Sequence, residues 1–237
     1  MMRQVILLEN FQRIKNAVST ACIKVNRNPK EVTLMAVTKY AQDADILTLL
    51  YCGLLTDIGE SRVQQAWVRW HDNDAFAKFP VRKHFIGHLQ KNKVAKAAQL
   101  FDFIDSLDDV QTAKLLSKHT PAGKVLKVLV QVKLTDKNTQ SGLALDEARK
   151  LVAQLKDLNL KNIRVCGYMG IAPQGAKPEE LAALFQTVKS AFDADFPAQE
   201  ERYLSLGMSE DFITAVEEGS TLPRIGSGLF AENLEGI

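Results

Sequence analysis

The chain is 237 residues long, with 30 Lys and Arg residues against 28 Asp and Glu residues and a hydrophobic fraction of 46%. This composition excludes general disorder and predicts a folded protein with a substantial core. Charges of both signs are interspersed and aromatic residues make up only 7%, so the sequence lacks the basic stripe and the stacking platforms of a nucleic-acid binder. No apolar run approaches the roughly 20 residues that a membrane-spanning helix needs.

The N-terminal segment and the cysteines predict the compartment. Glu9, Arg13 and Lys15 interrupt the first apolar stretch, which is therefore predicted to be an amphipathic helix rather than a signal peptide. The cysteines are widely spaced and form no CxxC motif; they are Cys22, Cys52 and Cys166. We expect three buried, unpaired thiols, no zinc site and a reducing cytoplasm.

Short apolar runs alternate with segments of helical periodicity along the whole chain. The predicted strands are Val32–Val37, Leu54–Ile58, Lys83–Ile86, Phe101–Ile104, Val125–Val132, Ile163–Tyr168, Tyr203–Leu206 and Leu222–Ile225. The predicted helices include Ala44–Tyr51, Val63–Trp70, Val110–Ser117, Ala144–Leu155 and Glu179–Phe192. Eight such units behind an N-terminal helix predict a (β/α)8 TIM barrel, with a doubly wound open sheet as the alternative. Because no Pro/Gly/Ser-rich linker divides the chain, we expect one domain spanning residues 1–237.

In a (β/α)8 barrel, functional residues follow the carboxyl ends of the strands. Lys39 comes directly after the first predicted strand. Desolvation at the end of a buried strand disfavours the ammonium form and favours the neutral amine that a Schiff base requires. From position alone, a lysine whose amine reaches solvent is the alternative.

Two segments rich in small residues accompany the last two strands, GMSED at residues 207–211 and RIGSG at residues 224–228. Small residues at this end of a barrel let backbone N–H groups and hydroxyls approach a phosphate, and a helix predicted to begin near Ser209 adds its positive end. Turn glycines and an N-capping serine are the alternative. An amine and a phosphate cradle together predict pyridoxal 5′-phosphate as the cofactor.

Other polar motifs are predicted to be structural. His84 and His88 share an HxxxH spacing, but they flank a strand end rather than sharing a helix face, so we expect no metal there. Three carboxylates are expected to be solvated or capping charges; they are Asp105, Asp108 and Asp109. Two tryptophans at helical spacing are expected to pack in the core or at its rim; they are Trp67 and Trp70.

Six motifs cover nearly the whole chain: AVTKY around Lys39, IGESRVQ (58–64), HFIGHLQKNK (84–93), GYMGIAP (167–173), LSLGMSEDFITAVEEGST (204–221) and RIG (224–226). In order and spacing they resemble the pyridoxal phosphate homeostasis proteins. The resemblance implies a one-domain barrel like the N-terminal domain of bacterial alanine racemase, with the cofactor held on Lys39 as an internal aldimine. The cofactor-binding residues that it implies are Lys39, Glu60, Met208, Ser209, Arg224, Gly226 and Ser227.

The resemblance also implies roles for these side chains. Ser209 and the Gly226–Ser227 segment would hold the phosphate, and Arg224 would lie against the pyridine nitrogen. A permanent cation there discourages ring protonation and weakens carbanion stabilisation. The sequence departs from the family's pattern around this site at Ser61, His88, Lys133 and Gln140.

The function that the resemblance implies is a cytoplasmic protein that holds pyridoxal phosphate, limits free aldehyde and passes the cofactor to apo-enzymes, with little or no catalysis. Alanine racemases carry a second, β-rich domain, for which this sequence has no room, so we expect a monomer. A small amino-acid racemase or lyase is the alternative, with Tyr168 or Cys166 opposite Lys39 as its candidate second group. A third hypothesis is a barrel that acts only through its surface.

Overall fold

The computed structural model describes residues 2–135, 141–197 and 201–232. Its first element is the long helix α1 (Met2–Lys24), which buries Leu7, Ile14, Val18 and Cys22 along one face. This spacing of buried positions corresponds to one stripe of an α-helix. The prediction of an N-terminal helix in front of the barrel is confirmed.

Eight strands form one parallel sheet. They are β1 (Met35–Val37), β2 (Asp57–Glu60), β3 (Arg82–Phe85), β4 (Phe103–Leu107), β5 (Leu126–Lys133), β6 (Ile163–Ile171), β7 (Tyr203–Ser205) and β8 (Arg224–Ile225). Each strand pairs with the next along the chain from β1 to β7, and β8 pairs with β1. The order is that of a barrel rather than of a doubly wound sheet, which reverses direction at a switch point.

Helices cover the outside of the sheet. They are α2 (Asp43–Tyr51), α3 (Val63–Trp70), α4 (Asp74–Ala77), α5 (Val94–Leu100), α6 (Val110–His119), α7 (Leu145–Leu158), α8 (Pro178–Asp195), α9 (Phe212–Glu217) and α10 (Ser227–Phe230), with 3₁₀ turns at Pro29–Glu31 and Lys91–Lys93. The (β/α)8 barrel is therefore confirmed. None of the helices in the described ranges combines the length and the apolar character that crossing a bilayer requires.

Hydrogen bonds between β7 and β8 bring the two ends of the sheet together. The Arg224 amide donates to the Gly207 carbonyl at 2.9 Å, and the Ser205 hydroxyl donates to the Leu222 carbonyl at 3.0 Å. A mixture of backbone and side-chain bonds thus replaces a regular ladder at this point, and it carries the segments after β7 and β8 to the same side of the barrel mouth.

Strand residues alternate between an outer apolar layer and the barrel interior. Ala36 and Ile58 lie in the large core between sheet and helices, whereas Met35 and Gly59 meet inside, where a Cβ on Gly59 would lie 2.8 Å from the Met35 sulfur. A smaller apolar cluster of Leu129, Cys166 and Met169 lies apart from the large core. The positions around the barrel axis are therefore shared between apolar and polar side chains.

Three expectations from the sequence are wrong. Cys52 is exposed, because it follows the last turn of α2 just outside the buried face. Asp105 is fully buried rather than solvated, because it is paired inside the barrel. The helix expected near Ser209 begins at Phe212, because the chain first makes a turn in which the Asp211 carboxylate accepts from the Met208 amide.

Candidate functional site

Lys39 lies two residues beyond the end of β1, at the carboxyl mouth of the barrel. Its neighbour Thr38 is fully buried and turned outward toward α3, where its hydroxyl donates to Glu60 at 2.8 Å. Lys39 and Tyr40 follow in a turn, which sets the direction of the lysine side chain. The lysine is half-buried, and its Nζ lies 5.2 Å from the centre of the exposed Tyr40 ring.

Ser209 and Ser227 come together from the segments that follow β7 and β8. The Ser227 hydroxyl donates to the Ser209 hydroxyl at 3.0 Å, and the Gly228 amide donates to the same oxygen at 3.2 Å. Two hydroxyls and one backbone N–H thus converge at the mouth. Groups of this kind can donate hydrogen bonds to phosphate oxygens.

The hydroxyl cluster and the lysine segment belong to neighbouring strands. Ala36 and Ile225 are paired in the β1–β8 register, and one residue further a Cβ on Gly226 would lie 3.3 Å from the Cβ of Val37. The absence of a side chain at Gly226 allows this close approach. As a result, the segments carrying Lys39 and Ser227 leave the barrel side by side.

Arg224 begins β8 and is only 3% exposed. Its Nη1 donates to the Ser205 carbonyl at 2.7 Å and to the Ser205 hydroxyl at 2.8 Å, and its Nη2 donates to the Gly170 carbonyl at 2.8 Å. These acceptors are all uncharged. Burial lowers the pKa of Arg224 to about 10, against the opposing charges of Asp105 and Asp211, so the guanidinium stays charged at neutral pH.

Glu60 faces the helix layer, and Met208 directly precedes Ser209 of the hydroxyl cluster. Glu60 is fully buried and faces α3, where its Oε1 also accepts from the Trp70 indole at 3.1 Å. Met208 follows β7 with 38% of its surface exposed. Contacts of these two side chains with a cofactor stay predictions, as do those of Lys39 and the four residues at β7 and β8.

A buried charged triad inside the barrel was not expected from the sequence. The two ring nitrogens of His84 lie 3.0 Å from Asp57 Oδ1 and 3.1 Å from Asp105 Oδ2, and all three side chains are fully buried. Burial lowers the pKa of His84, but the charge of Asp105 and the hydrogen bonds to both carboxylates raise it to about 9. His84 therefore carries two N–H donors at neutral pH. In the sequence, Asp57 and His84 fall inside predicted strands, and Asp105 directly follows one.

Tyr168 and Cys166, the candidate second catalytic groups of a racemase, are not brought together with Lys39. Tyr168 points to the helix layer, where its hydroxyl donates to Asp195 of α8 at 2.7 Å. Cys166 is fully buried in the cluster with Leu129 and Met169, and burial raises its pKa to about 12. Neither side chain lies at the mouth of the barrel.

Another half-buried lysine lies at the opposite end of the barrel. Lys124, two residues before β5, donates to the carbonyls of Ala98 and Gln99 at 3.1 and 2.9 Å. Burial lowers its pKa. Lys124 precedes a strand, whereas Lys39 follows one, so Lys124 lies away from the candidate site.

The remaining predictions concern metals and the packing of polar residues. Within the described residues, no three His, Cys, Asp or Glu side chains are grouped as a metal site would require. Asp109 caps α6 by accepting from the Thr112 amide, and Trp70 is buried, both as predicted. Of the departures from the family's pattern, Gln140 lies outside the described residues.

The family model of the alanine racemase N-terminal domain matches residues 7–233. The chain is similar to the pyridoxal phosphate homeostasis protein of Escherichia coli, with 31% identity over 94% of this chain and 95% of the relative. It is also similar to PipY of Synechococcus elongatus, solved with pyridoxal phosphate bound, with a TM-score of 0.75, 31% identity and coverage of 90% of this chain and 100% of PipY. An alanine racemase of Clostridium difficile shares the fold, with a TM-score of 0.65 and 12% identity over 94% of this chain and 56% of the racemase.

Proposed function

Since the chain belongs to the pyridoxal phosphate homeostasis proteins, within the alanine racemase N-terminal domain family, we propose that it binds pyridoxal 5′-phosphate at the carboxyl mouth of its barrel. Lys39 is the point of covalent attachment, and the segments after β7 and β8 hold the phosphate. The observation that carries this proposal is the convergence of Ser209, Ser227 and the Gly228 amide beside the strand that leads to Lys39.

The donor set fits the chemistry of this cofactor. Its phosphate is an anion, and hydroxyls with a backbone N–H are suitable donors for it. Arg224, which is held by uncharged acceptors near the ends of β6 and β7, adds positive charge inside the barrel. Pyridoxal 5′-phosphate supplies an aldehyde that condenses with a primary amine, releasing water and leaving a carbon–nitrogen double bond.

Arg224 sets the electrostatic character of the site. It is charged at neutral pH because its pKa, although lowered by burial, is about 10. A fixed cation disfavours a further positive charge close to it. Arg224 therefore opposes protonation of a heterocyclic nitrogen that lies beside its guanidinium. A carbanion next to such an unprotonated ring gains less stabilisation.

This electrostatic setting favours holding the cofactor over turning over amino acids. Tyr168 and Cys166 are directed away from the mouth, so they give no support to the racemase alternative. We propose further that the protein acts in the cytoplasm as a single-domain monomer, limits free aldehyde and delivers the cofactor to apo-enzymes. Free thiols among the described residues are consistent with a reducing compartment.

Borohydride trapping tests the proposal. Wild-type protein incubated with pyridoxal 5′-phosphate and reduced is expected to carry the added mass on the peptide containing Lys39, and Lys39→Ala is expected to carry none. Lys124→Ala is the matched control, because this half-buried lysine has a lowered pKa but lies at the amino end of the barrel. Adduct on Lys124 in place of Lys39, or no adduct on either, would contradict the proposal.

A further inference from the structure

The segment that carries Lys39 is a tight turn between β1 and α2. The Thr38 amide donates to the Gly59 carbonyl at 3.0 Å, and the Ala41 amide donates back to the Thr38 carbonyl at 3.1 Å. Lys39 and Tyr40 therefore form the tip of a turn whose two ends are Thr38 and Ala41. Whatever fixes these two ends fixes the direction in which the lysine leaves the backbone.

Arg69 of α3 reaches both ends of this turn. Its Nη1 donates to the Thr38 carbonyl at 3.1 Å, and its Nη2 approaches the Ala41 carbonyl at 3.4 Å. Its Nε donates to Asp43, at the start of α2, at 2.8 Å. The side chain is only 16% exposed, so water competes little for these donors.

Glu60 forms a buried ion pair with Arg69. Its Oε1 accepts from Arg69 Nη1 at 2.8 Å, from the Thr38 hydroxyl at 2.8 Å and from the Trp70 indole at 3.1 Å. Its Oε2 is buried without a hydrogen-bond partner. A buried carboxylate with one unsatisfied oxygen depends on its cationic neighbour, so Glu60 and Arg69 hold each other in place.

We propose that Arg69 is a positioning residue for Lys39: its guanidinium bridges Glu60 to both ends of the lysine turn and keeps the amine directed into the barrel mouth. This inference rests on the proposed attachment of the cofactor to Lys39. The acceptors lie in separate directions around one planar group, and Arg presents five donors in a rigid fork. A lysine could retain the charge next to Glu60 but could not bridge the turn.

The test compares Arg69→Lys with wild type and with Arg149→Lys. Arg149 of α7 is a matched control, because it also forms an ion pair with a carboxylate on another helix, Asp195, but far from the turn in sequence. Two probes separate positioning from binding. Pyridoxal 5′-phosphate can attach covalently, whereas pyridoxine 5′-phosphate carries an alcohol in place of the aldehyde and can only bind.

Arg69→Lys is expected to slow covalent attachment on the order of tenfold to a hundredfold, because a misplaced reacting group loses its proximity advantage. The attachment rate is measured from the change in visible absorbance. The dissociation constant for pyridoxine 5′-phosphate is expected to change less than about threefold. Hydrogen exchange in the peptide spanning residues 38–43 of the cofactor-free protein is expected to accelerate. Arg149→Lys is expected to match wild type in all three measurements.

The outcomes distinguish the inference from the function on which it rests. Attachment at the wild-type rate in Arg69→Lys, or equal losses in attachment and in pyridoxine 5′-phosphate binding, would refute the positioning role alone. Unchanged hydrogen exchange in the turn would refute it as well. A wild-type protein that forms no adduct would overturn the proposed function and this inference together.

Discussion

Raising the pH from about 6 to about 9.5 is expected to reduce the free energy of unfolding by about 3 kcal/mol, because the buried His84 must then give up a proton. The pKa of His84 is raised from 6.5 to about 9 in the folded protein, since burial is outweighed by the charge of Asp105 and the hydrogen bonds to Asp105 and Asp57. One pKa unit corresponds to about 1.4 kcal/mol. Because the folded pKa lies above the unfolded one, this stabilisation is complete below about pH 6.5 and is lost as the pH rises through about 9.

Urea unfolding at a series of pH values measures this loss. His84→Gln removes this titrating group, so its loss of stability over the same interval is expected to be smaller than that of wild type by about 3 kcal/mol. His71→Gln is the matched control, because His71 also contacts a carboxylate, Asp72, but both side chains are about half exposed. This variant is expected to reproduce the wild-type slope.

A second variant keeps the prediction testable if His84→Gln does not fold. Asp105→Asn removes the charge that contributes most to raising the pKa of His84, so the pH at which stability is lost is expected to shift downward. A wild-type stability that is flat between pH 6 and 9.5 would refute the assignment of a charged His84. A slope that persists unchanged in His84→Gln would assign the titration to another group.

Two further variants test the segments after β7 and β8. The double variant Ser209→Ala/Ser227→Ala is expected to weaken binding of pyridoxal 5′-phosphate about a hundredfold or more, because hydrogen bonds to a charged group contribute about 1.5–3 kcal/mol each. The dissociation constant for pyridoxal, which lacks the phosphate, is expected to change less than about threefold. Equal losses of affinity for both ligands would contradict the assignment. Gly207→Ala is expected to destabilise the fold by about 1–3 kcal/mol more than Gly175→Ala in urea unfolding. Both glycines have a positive φ, but a Cβ on Gly207 would lie 2.6 Å from the Cβ of Ala215 whereas one on Gly175 meets nothing within 4 Å, so equal costs would contradict the packing.

The succession of strands and helices could be predicted because apolar runs and helical spacing are local properties. The helix Val63–Trp70 matches its predicted bounds. The second strand was predicted from Leu54 but begins at Asp57, because the partly buried Leu54 and the buried Leu55 have the same apolar character as strand residues. Hydrophobicity alone does not separate a buried connection from the strand that follows it.

The positions of Lys39 and of the segments after β7 and β8 could also be predicted, since the barrel places every strand end on one face. The partners of Arg224 could not, because Ser205 and Gly170 are brought to it by neighbours across the barrel rather than along the chain. Asp105 was predicted to be solvated for the same reason. Its partner His84 lies 21 residues earlier, and only the packing of side chains inside the barrel shows that the carboxylate is paired.

A crystal structure of the protein grown with pyridoxal 5′-phosphate tests the central claim most directly. We expect electron density continuous with Lys39 Nζ and a phosphate within hydrogen-bond distance of the Ser209 and Ser227 hydroxyls and the Gly228 amide. Density for the cofactor at the amino end of the barrel, or at the mouth without a bond to Lys39, would contradict the account.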